Sequence, residues 1–276
     1  MSWKDVAKRS LSRTTGYELR RAQPPGALPG RAVRPGNRLL PEPAFVMCTL
    51  RSGSTLLRLM LNSHPEIHCP HEIHLRYISV NFDERVAKRS MKEMGLNQER
   101  LEYLLWDRIL HRELVRSGKP LLVTKTPNDV YIADRIKKCW PKSKMVFLIR
   151  HPAMIARSRL AARPGRDEER NIEIVRNYCA ALERARQAYE GPTIRYEDVT
   201  TDPVTALTTV CDHLGVTFDP VMLDYGRHDH GRAVAGLGDW KDKIKTGTVQ
   251  PPDPLPAESE IPEDLREICA TWGYLT

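Results

Sequence analysis

Between Phe45 and Leu61 an apolar run stops at a turn of Arg51, Ser52, Gly53, Ser54 and Thr55, and an amphipathic pattern (Leu56, Leu57, Leu59, Met60, Leu61) starts at once. The unbroken apolar run reads as a strand buried on both faces, and the second pattern as a helix. A strand, a tight turn and a helix N-terminus form an anion site. The first-turn N–H groups lack intrahelical partners, and the helix dipole adds about half a positive charge. Gly53 permits close backbone approach, Ser52, Ser54 and Thr55 supply hydroxyl donors, and Arg51 supplies a fixed cation. Ordinary capping is the competing explanation, because Ser and Thr are common N-caps and Gly is common turn punctuation. The loop is not a Walker A motif. That motif places a Lys between its second Gly and the Ser/Thr, whereas here Ser54 follows Gly53 directly.

The same unit recurs along the chain. Leu121-Leu122-Val123 runs into Lys125-Thr126-Pro127, and Lys144–Ile149 into Arg150-His151-Pro152. Thr193–Tyr196 reads as a further short strand. Helical patterns cover residues 97–117, 129–138, 153–160, 168–189, 203–214 and 262–272, while 62–74, broken by Pro65 and Pro70, reads as irregular. Apolar strands alternating with helices specify an α/β fold, with a parallel sheet covered by helices on both faces. Ligands of such sheets sit beyond the carboxyl ends of the strands, the edge occupied by the turns at Arg51, Lys125 and Arg150. Three cations on one rim suit a polyanionic ligand.

Charge separates an arm from a body. Of the net +8, residues 1–39 carry +7, so the remainder is nearly neutral, which argues against nucleic acid as a partner. Residues 22–43 are rich in Pro and Gly, and residues 1–43 therefore read as a basic, Pro-rich arm preceding a body at 44–276. Such an arm is either a solvated lead-in or a site of peripheral contact with a membrane surface or an acidic partner. No apolar run reaches the roughly 18 residues of a membrane span. The N-terminus lacks the apolar stretch of a secretory signal. Six cysteines without a C-x-x-C pair read as buried thiols of a reducing compartment, so a cytoplasmic location is expected. His64, His68, Cys69, His71 and His74 are dense enough to raise a metal site. His71-Glu72-Ile73-His74 is one residue short of H-E-x-x-H, however, and the two prolines prevent a continuous ligand helix.

At this point the chain resembles the sulfotransferases that use 3′-phosphoadenosine 5′-phosphosulfate (PAPS). Arg51-Ser52-Gly53-Ser54-Thr55-Leu56-Leu57 looks like the family's 5′-phosphosulfate loop, and its continuation through Asn62-Ser63-His64-Pro65 is most similar to the tyrosylprotein and bacterial branches. Ile149-Arg150-His151-Pro152, with Ser158 beyond it, looks like the 3′-phosphate motif. Arg195-Tyr196-Glu197-Asp198-Val199 resembles the Tyr-Glu-Asp segment, and Gly238-Asp239-Trp240-Lys241 the C-terminal signature. The resemblance implies a P-loop NTPase-like sulfotransferase fold and PAPS as co-substrate, with no metal required. It assigns Arg51, Ser52, Gly53, Ser54 and Thr55 to the phosphosulfate, and Lys125 to the bridging oxygen or leaving group. Arg150 and Ser158 go to the 3′-phosphate, Tyr196 to the 3′-phosphate or adenine, and Gly238 and Trp240 to the donor.

The acceptor hydroxyl needs a base. Cytosolic small-molecule members place a His two residues after a Lys-Thr pair; here Pro127 holds that position. The tyrosylprotein branch uses a Glu shortly after the first helix, and Glu72 stands at the matching offset, with His71 a second candidate. General-base catalysis of this kind contributes roughly 10²–10⁴ in rate. His71 and His74 replace the Glu and Arg that flank the base in that branch, so the expected acceptor is a small metabolite, glycan or glycolipid hydroxyl. Residues 73–97 and 163–170 are expected to shape its pocket. Two other functions fit the same pattern less well: a P-loop-type kinase, and a non-catalytic nucleotide-binding module with a basic interaction arm.

Overall fold

The structure, a computed structural model, describes residues 38–162, 164–165, 167–231 and 242–275. The arm through residue 37, Arg163, Gly238 and Trp240 lie outside these residues. Five strands, β1 (Ala44–Cys48), β2 (Ile67–His68), β3 (Leu121–Lys125), β4 (Lys144–Ile149) and β5 (Thr193–Arg195), form one parallel sheet in the order β2-β3-β1-β4-β5. The first helices are α1 (Ser54–Ser63), α2 (Arg85–Glu93), α3 (Gln98–Ser117), α4 (Ala133–Cys139) and α5 (Pro152–Ala162). They are followed by α6 (Glu168–Ala188), α7 (Tyr196–Thr201), α8 (Pro203–Leu214), α9 (Asp242–Lys245) and α10 (Glu263–Thr271).

Strand β1 is buried at every residue and divides two cores. Its side chains alternate between faces, as the pleat requires. Phe45 and Met47 join Trp140, Phe147, Leu182 and Trp272 on one face, which α3, α4, α5, α6 and α10 cover. Ala44, Val46 and Cys48 join Leu57, Met60, Leu148 and Leu207 on the other, under α1 and α8. Full burial of each large apolar side chain in these layers is worth about 1.5–3 kcal/mol. The chain leaves β1 toward β2 and β3 and later crosses back to β4 and β5. The carboxyl end of β1 is therefore the topological switch point, where a crevice opens between diverging connections.

Most helix ends follow local chemistry. The Asn97 and Asp167 side chains accept from the N–H groups of Arg100 and Arg170, capping α3 and α6, and left-handed Gly118 and Gly215 end α3 and α8. Helix α1 ends differently. Lys119 Nζ donates to the carbonyls of Asn62, His64 and Ile67, each at 2.8 Å, satisfying groups that the helix end and the following turn leave open.

Three elements depart from the expectations. The stretch read as irregular contains β2, a two-residue edge strand paired Ile67↔Leu121 and His68↔Leu122, too short to carry a periodic signal. Helix α2 buries no residue, so it has no apolar stripe to read. Tyr196 opens a helix instead of closing a strand, because Glu197 and Asp198 in the next positions favour a helix N-terminus. All six cysteines are free and buried. Among the described residues no helix is long and apolar enough to cross a membrane.

Candidate active site

The loop after β1 is held from below by its own serine. Ser52 is fully buried, and its hydroxyl donates to the Thr49 carbonyl at 2.7 Å. Its side chain is therefore committed to the turn, and Ser52 could serve a ligand only through its backbone. Arg51 (φ 63°) and Gly53 (φ 81°) both adopt left-handed backbone, as does His74 (φ 56°). Arg51 and His74 are the only non-glycine residues to do so among the described residues. Left-handed backbone costs a residue with a Cβ about 1–3 kcal/mol, and such strain gathers at ligand sites. Gly53 precedes α1 with no side-chain cap and no acidic residue in the first turn, and Ser54 and Thr55 at the start of that helix line a cleft.

Glycine at position 53 also answers a packing demand. A Cβ there would lie 2.1 Å from Cδ2 of Tyr196, whose ring covers the loop. Over the same ring, 4.4 Å from its centroid, sits the Arg150 guanidinium, which donates from Nη1 to the Arg51 carbonyl at 2.9 Å. Arg51 Nε in turn donates to Ser158 Oγ at 3.1 Å. Glu197 fixes the approach of this cluster. One of its oxygens accepts from the His151 N–H at 3.2 Å and the other from the Tyr274 hydroxyl at 2.7 Å. Arg51, Gly53, Ser54, Thr55, Arg150, Ser158 and Tyr196 thus line one cavity of about 1,090 Å³. Arg157, Tyr225 and Ile244 line it too. Sequence reasoning missed all three. Arg157 could have been found as a cation beside Ser158, but nothing local marks the other two.

Lys125 and Glu72 meet at the wall of this cavity. Lys125 closes β3 almost wholly buried, and its Nζ lies 2.5 Å from Glu72 Oε1. Glu72 Oε2 stands 3.3 Å from His74 Nε2. The segment is fastened by the Ile73 N–H, which donates to Thr126 Oγ1 at 3.2 Å. Glu72 lines the cavity and Lys125 does not, so the carboxylate screens the ammonium from the cleft. Beneath them Asp129, on the 3₁₀ turn Pro127–Ile132, is buried, and its Oδ1 has no hydrogen-bond partner. Burial first, and the Glu72 carboxylate second, push its carboxyl up to about 8, against the pull of Lys125. Asp129 therefore carries its proton at neutral pH. Burial also pushes the Cys48 thiol at the foot of the loop up to about 12. Among the described residues no group of three or more His, Cys, Asp or Glu is placed to hold a metal ion.

A family model described as "Sulfotransferase family" matches residues 43–220. The chain belongs to the sulfotransferase family. Among curated proteins it is similar to protein-tyrosine sulfotransferase 2 of Gallus gallus, 21% identical over 200 residues, covering 66% of this chain and 53% of that protein. Nodulation protein NoeE of Sinorhizobium fredii is 30% identical over 131 residues, covering 43% of this chain and 31% of its own length. The chain thus spans about half or less of the curated relatives it matches. The sulfotransferase domain from the curacin biosynthetic pathway superposes with a TM-score of 0.61 at 23% identity, over 86% of this chain and 99% of that domain. The sulfotransferase domain of the Synechococcus PCC 7002 olefin synthase gives 0.60, also at 23% identity, over 85% and 95%. These two likenesses establish the sulfotransferase fold that the resemblance implied.

Proposed function

We propose that the protein transfers a sulfuryl group from PAPS to an acceptor hydroxyl, with residues 44–276 as the catalytic body and 1–43 as a basic arm. The single observation that carries the reading is the Lys125–Glu72 ion pair, set into the wall of a cleft that Arg51, Arg150, Arg157, Arg159 and the first residues of α1 also line. The donor brings two polyanionic ends, which need both. The N–H groups of Ser54 and Thr55, with Arg51, would hold the 5′-phosphosulfate, and Arg150 with Ser158 the 3′-phosphate. Gly53 keeps the loop low enough for Tyr196 to lie over it.

In the transfer the acceptor oxygen forms a bond to sulfur as the bond from sulfur to the donor phosphate oxygen breaks. The acceptor proton passes to Glu72, and the departing phosphate carries the negative charge. Lys125, turning from Glu72 to that oxygen, would stabilise the charge where it develops, the usual largest electrostatic contribution to such steps. The same turn frees Glu72 to act as base. Until then each group is the other's opposite charge, and removing one partner of such a pair would leave the other uncompensated. The acceptor we propose is a small metabolite, a glycan or a glycolipid.

The test is donor-dependent transfer of ³⁵S in extracts or metabolite pools, with Glu72→Gln as the diagnostic variant. Transfer should fall by roughly 10²–10⁴ while affinity for adenosine 3′,5′-bisphosphate is kept, since the amide preserves a hydrogen bond to Lys125. Full turnover in Glu72→Gln would sink the base assignment.

A further inference from the structure

A second cavity, about 1,040 Å³, lies against the other side of the 71–74 strip. Its lining and that of the donor cleft share one residue, Glu72. His71 faces the second cavity and His74 the first, so the strip is a partition whose carboxylate both sides reach. Of residues 73–97, expected to shape an acceptor pocket, Ile73 lines the second cavity and His74 the cleft, while 75–97 line neither space. The second cavity is built instead from the end of α1, the β2 edge, α3 and the segment 219–231.

The two linings differ in their balance of charge. The cleft presents the guanidinium groups of Arg51, Arg150, Arg157 and Arg159 beside the carboxylates of Glu72, Asp253 and Glu260. The second cavity presents the carboxylates of Glu72, Glu113, Asp219 and Asp229 and the imidazoles of His68, His71, His228 and His230, with two cations, Arg116 and Lys119. Asp219 and Asp229 each commit one oxygen to a backbone N–H, of Val221 at 2.9 Å and of Gly231 at 2.8 Å, and each leaves the second oxygen open. His68 Nε2 is buried without a partner, and burial holds its imidazole below the ordinary value, hence neutral. The cations are engaged: Lys119 caps three carbonyls, and Arg116 pairs with Glu113 at 3.3 Å. Ionised carboxylates only accept hydrogen bonds, so the lining asks for a ligand rich in donors and repels an anion. Its apolar part, Ile73, Ile109 and Val221 with two prolines, offers no aromatic plate for a flat ring system.

We infer that this cavity binds the acceptor as a neutral or amino-bearing polyhydroxylated molecule of sugar type, with the hydroxyl to be sulfated directed at Glu72. The inference rests on Glu72 as the base. It adds where the acceptor lies and what class it belongs to. In-line displacement needs the acceptor to approach opposite the departing phosphate, which a cavity meeting the donor cleft at the base alone provides. Asp219, Asp229 and His68 then act as specificity residues through hydrogen bonds to the sugar hydroxyls.

The experiment uses the full chain loaded with adenosine 3′,5′-bisphosphate and saturation-transfer NMR against fixed probes. These are neutral and amino mono- and disaccharides on one side, and 2-naphthol and a steroid alcohol on the other. At least one saccharide should bind, and Asp219→Asn/Asp229→Asn should weaken it tenfold or more with bisphosphate affinity unchanged within twofold. Both amides can still accept the capping N–H groups, and His68→Gln gives an independent second variant with the same expected loss. The bound saccharide should also become ³⁵S-labelled from PAPS. Binding of no saccharide, equal binding in all variants, or a saccharide that binds and is never labelled by an enzyme sulfating 2-naphthol overturns the inference. Failure of the donor reading looks different: the bisphosphate does not bind, while saccharide titration into the free chain still decides the cavity.

Discussion

Asn in place of Asp129 isolates one proton in the site. The wild-type carboxyl is 2% exposed and held up to about 8, against an ordinary 3.8 that the unfolded chain regains. Between those values the folded protein keeps a proton that the unfolded chain releases. Unfolding stability therefore falls as pH rises, by about 1.4 kcal/mol per pH unit for one group. The stabilisation is whole below 3.8 and lost progressively up to about 8. At pH 7 the loss attributable to Asp129 is about 4 kcal/mol, an upper value because a relaxing interior would reduce it. Asn carries no such proton, and its backbone N–H can still donate to the Thr126 carbonyl, as Asp129 does at 3.0 Å. The stability difference between Asp129→Asn and wild type should therefore grow in the variant's favour from pH 5 to pH 7.5. Other titrating groups are common to both proteins and cancel. Urea unfolding followed by fluorescence of the buried Trp106 and Trp140 measures it directly. A difference that is flat over this range would refute the buried neutral carboxyl. In Glu72→Gln the like charge is gone, so the upper end of the window should move down.

Gly53→Ala places a methyl group 2.1 Å from the Tyr196 ring and a Cβ on left-handed backbone; affinity for adenosine 3′,5′-bisphosphate should fall tenfold or more, measured by calorimetry, with about 1 kcal/mol lost in stability. Ser158→Ala removes the acceptor of the Arg51 Nε bond; binding of adenosine 3′,5′-bisphosphate should weaken far more than binding of the 5′-monophosphate. Lys119→Met uncovers the carbonyls of Asn62, His64 and Ile67, and should cost about 2–3 kcal/mol by urea midpoint while the bisphosphate still binds.

Much of the donor site was legible because its parts are local. Arg51 and Gly53 follow β1, Lys125 closes β3 and Arg150 follows β4, so reading the strands placed three cations at one edge. The order of strands was not legible, nor was β2, since pairing depends on partners far along the chain. Tyr196 was found by its motif, yet its element was misread, and its place over Gly53 follows from β5 packing beside β4. Asp129 left no local signal, and the histidines of residues 64–74 marked one wall of the second cavity without showing that α3 and the segment 219–231 close the rest of it.

By itself the sequence determined the alternation of buried strands and helices, the tight turn at Gly53 and the cations at the strand ends. These follow from side-chain periodicity, backbone sterics and charge, properties a short segment carries with it. Tertiary structure alone decided that Glu72 pairs with Lys125, 53 residues away, and that Arg51 meets Ser158 across 107. It also decided that Asp129 is buried beneath Glu72, which pushes its carboxyl up, that Ser52 faces inward, and that one carboxylate borders two cavities. Those outcomes depend on which groups exclude water from one another, and only the packed sheet and its crossovers set that.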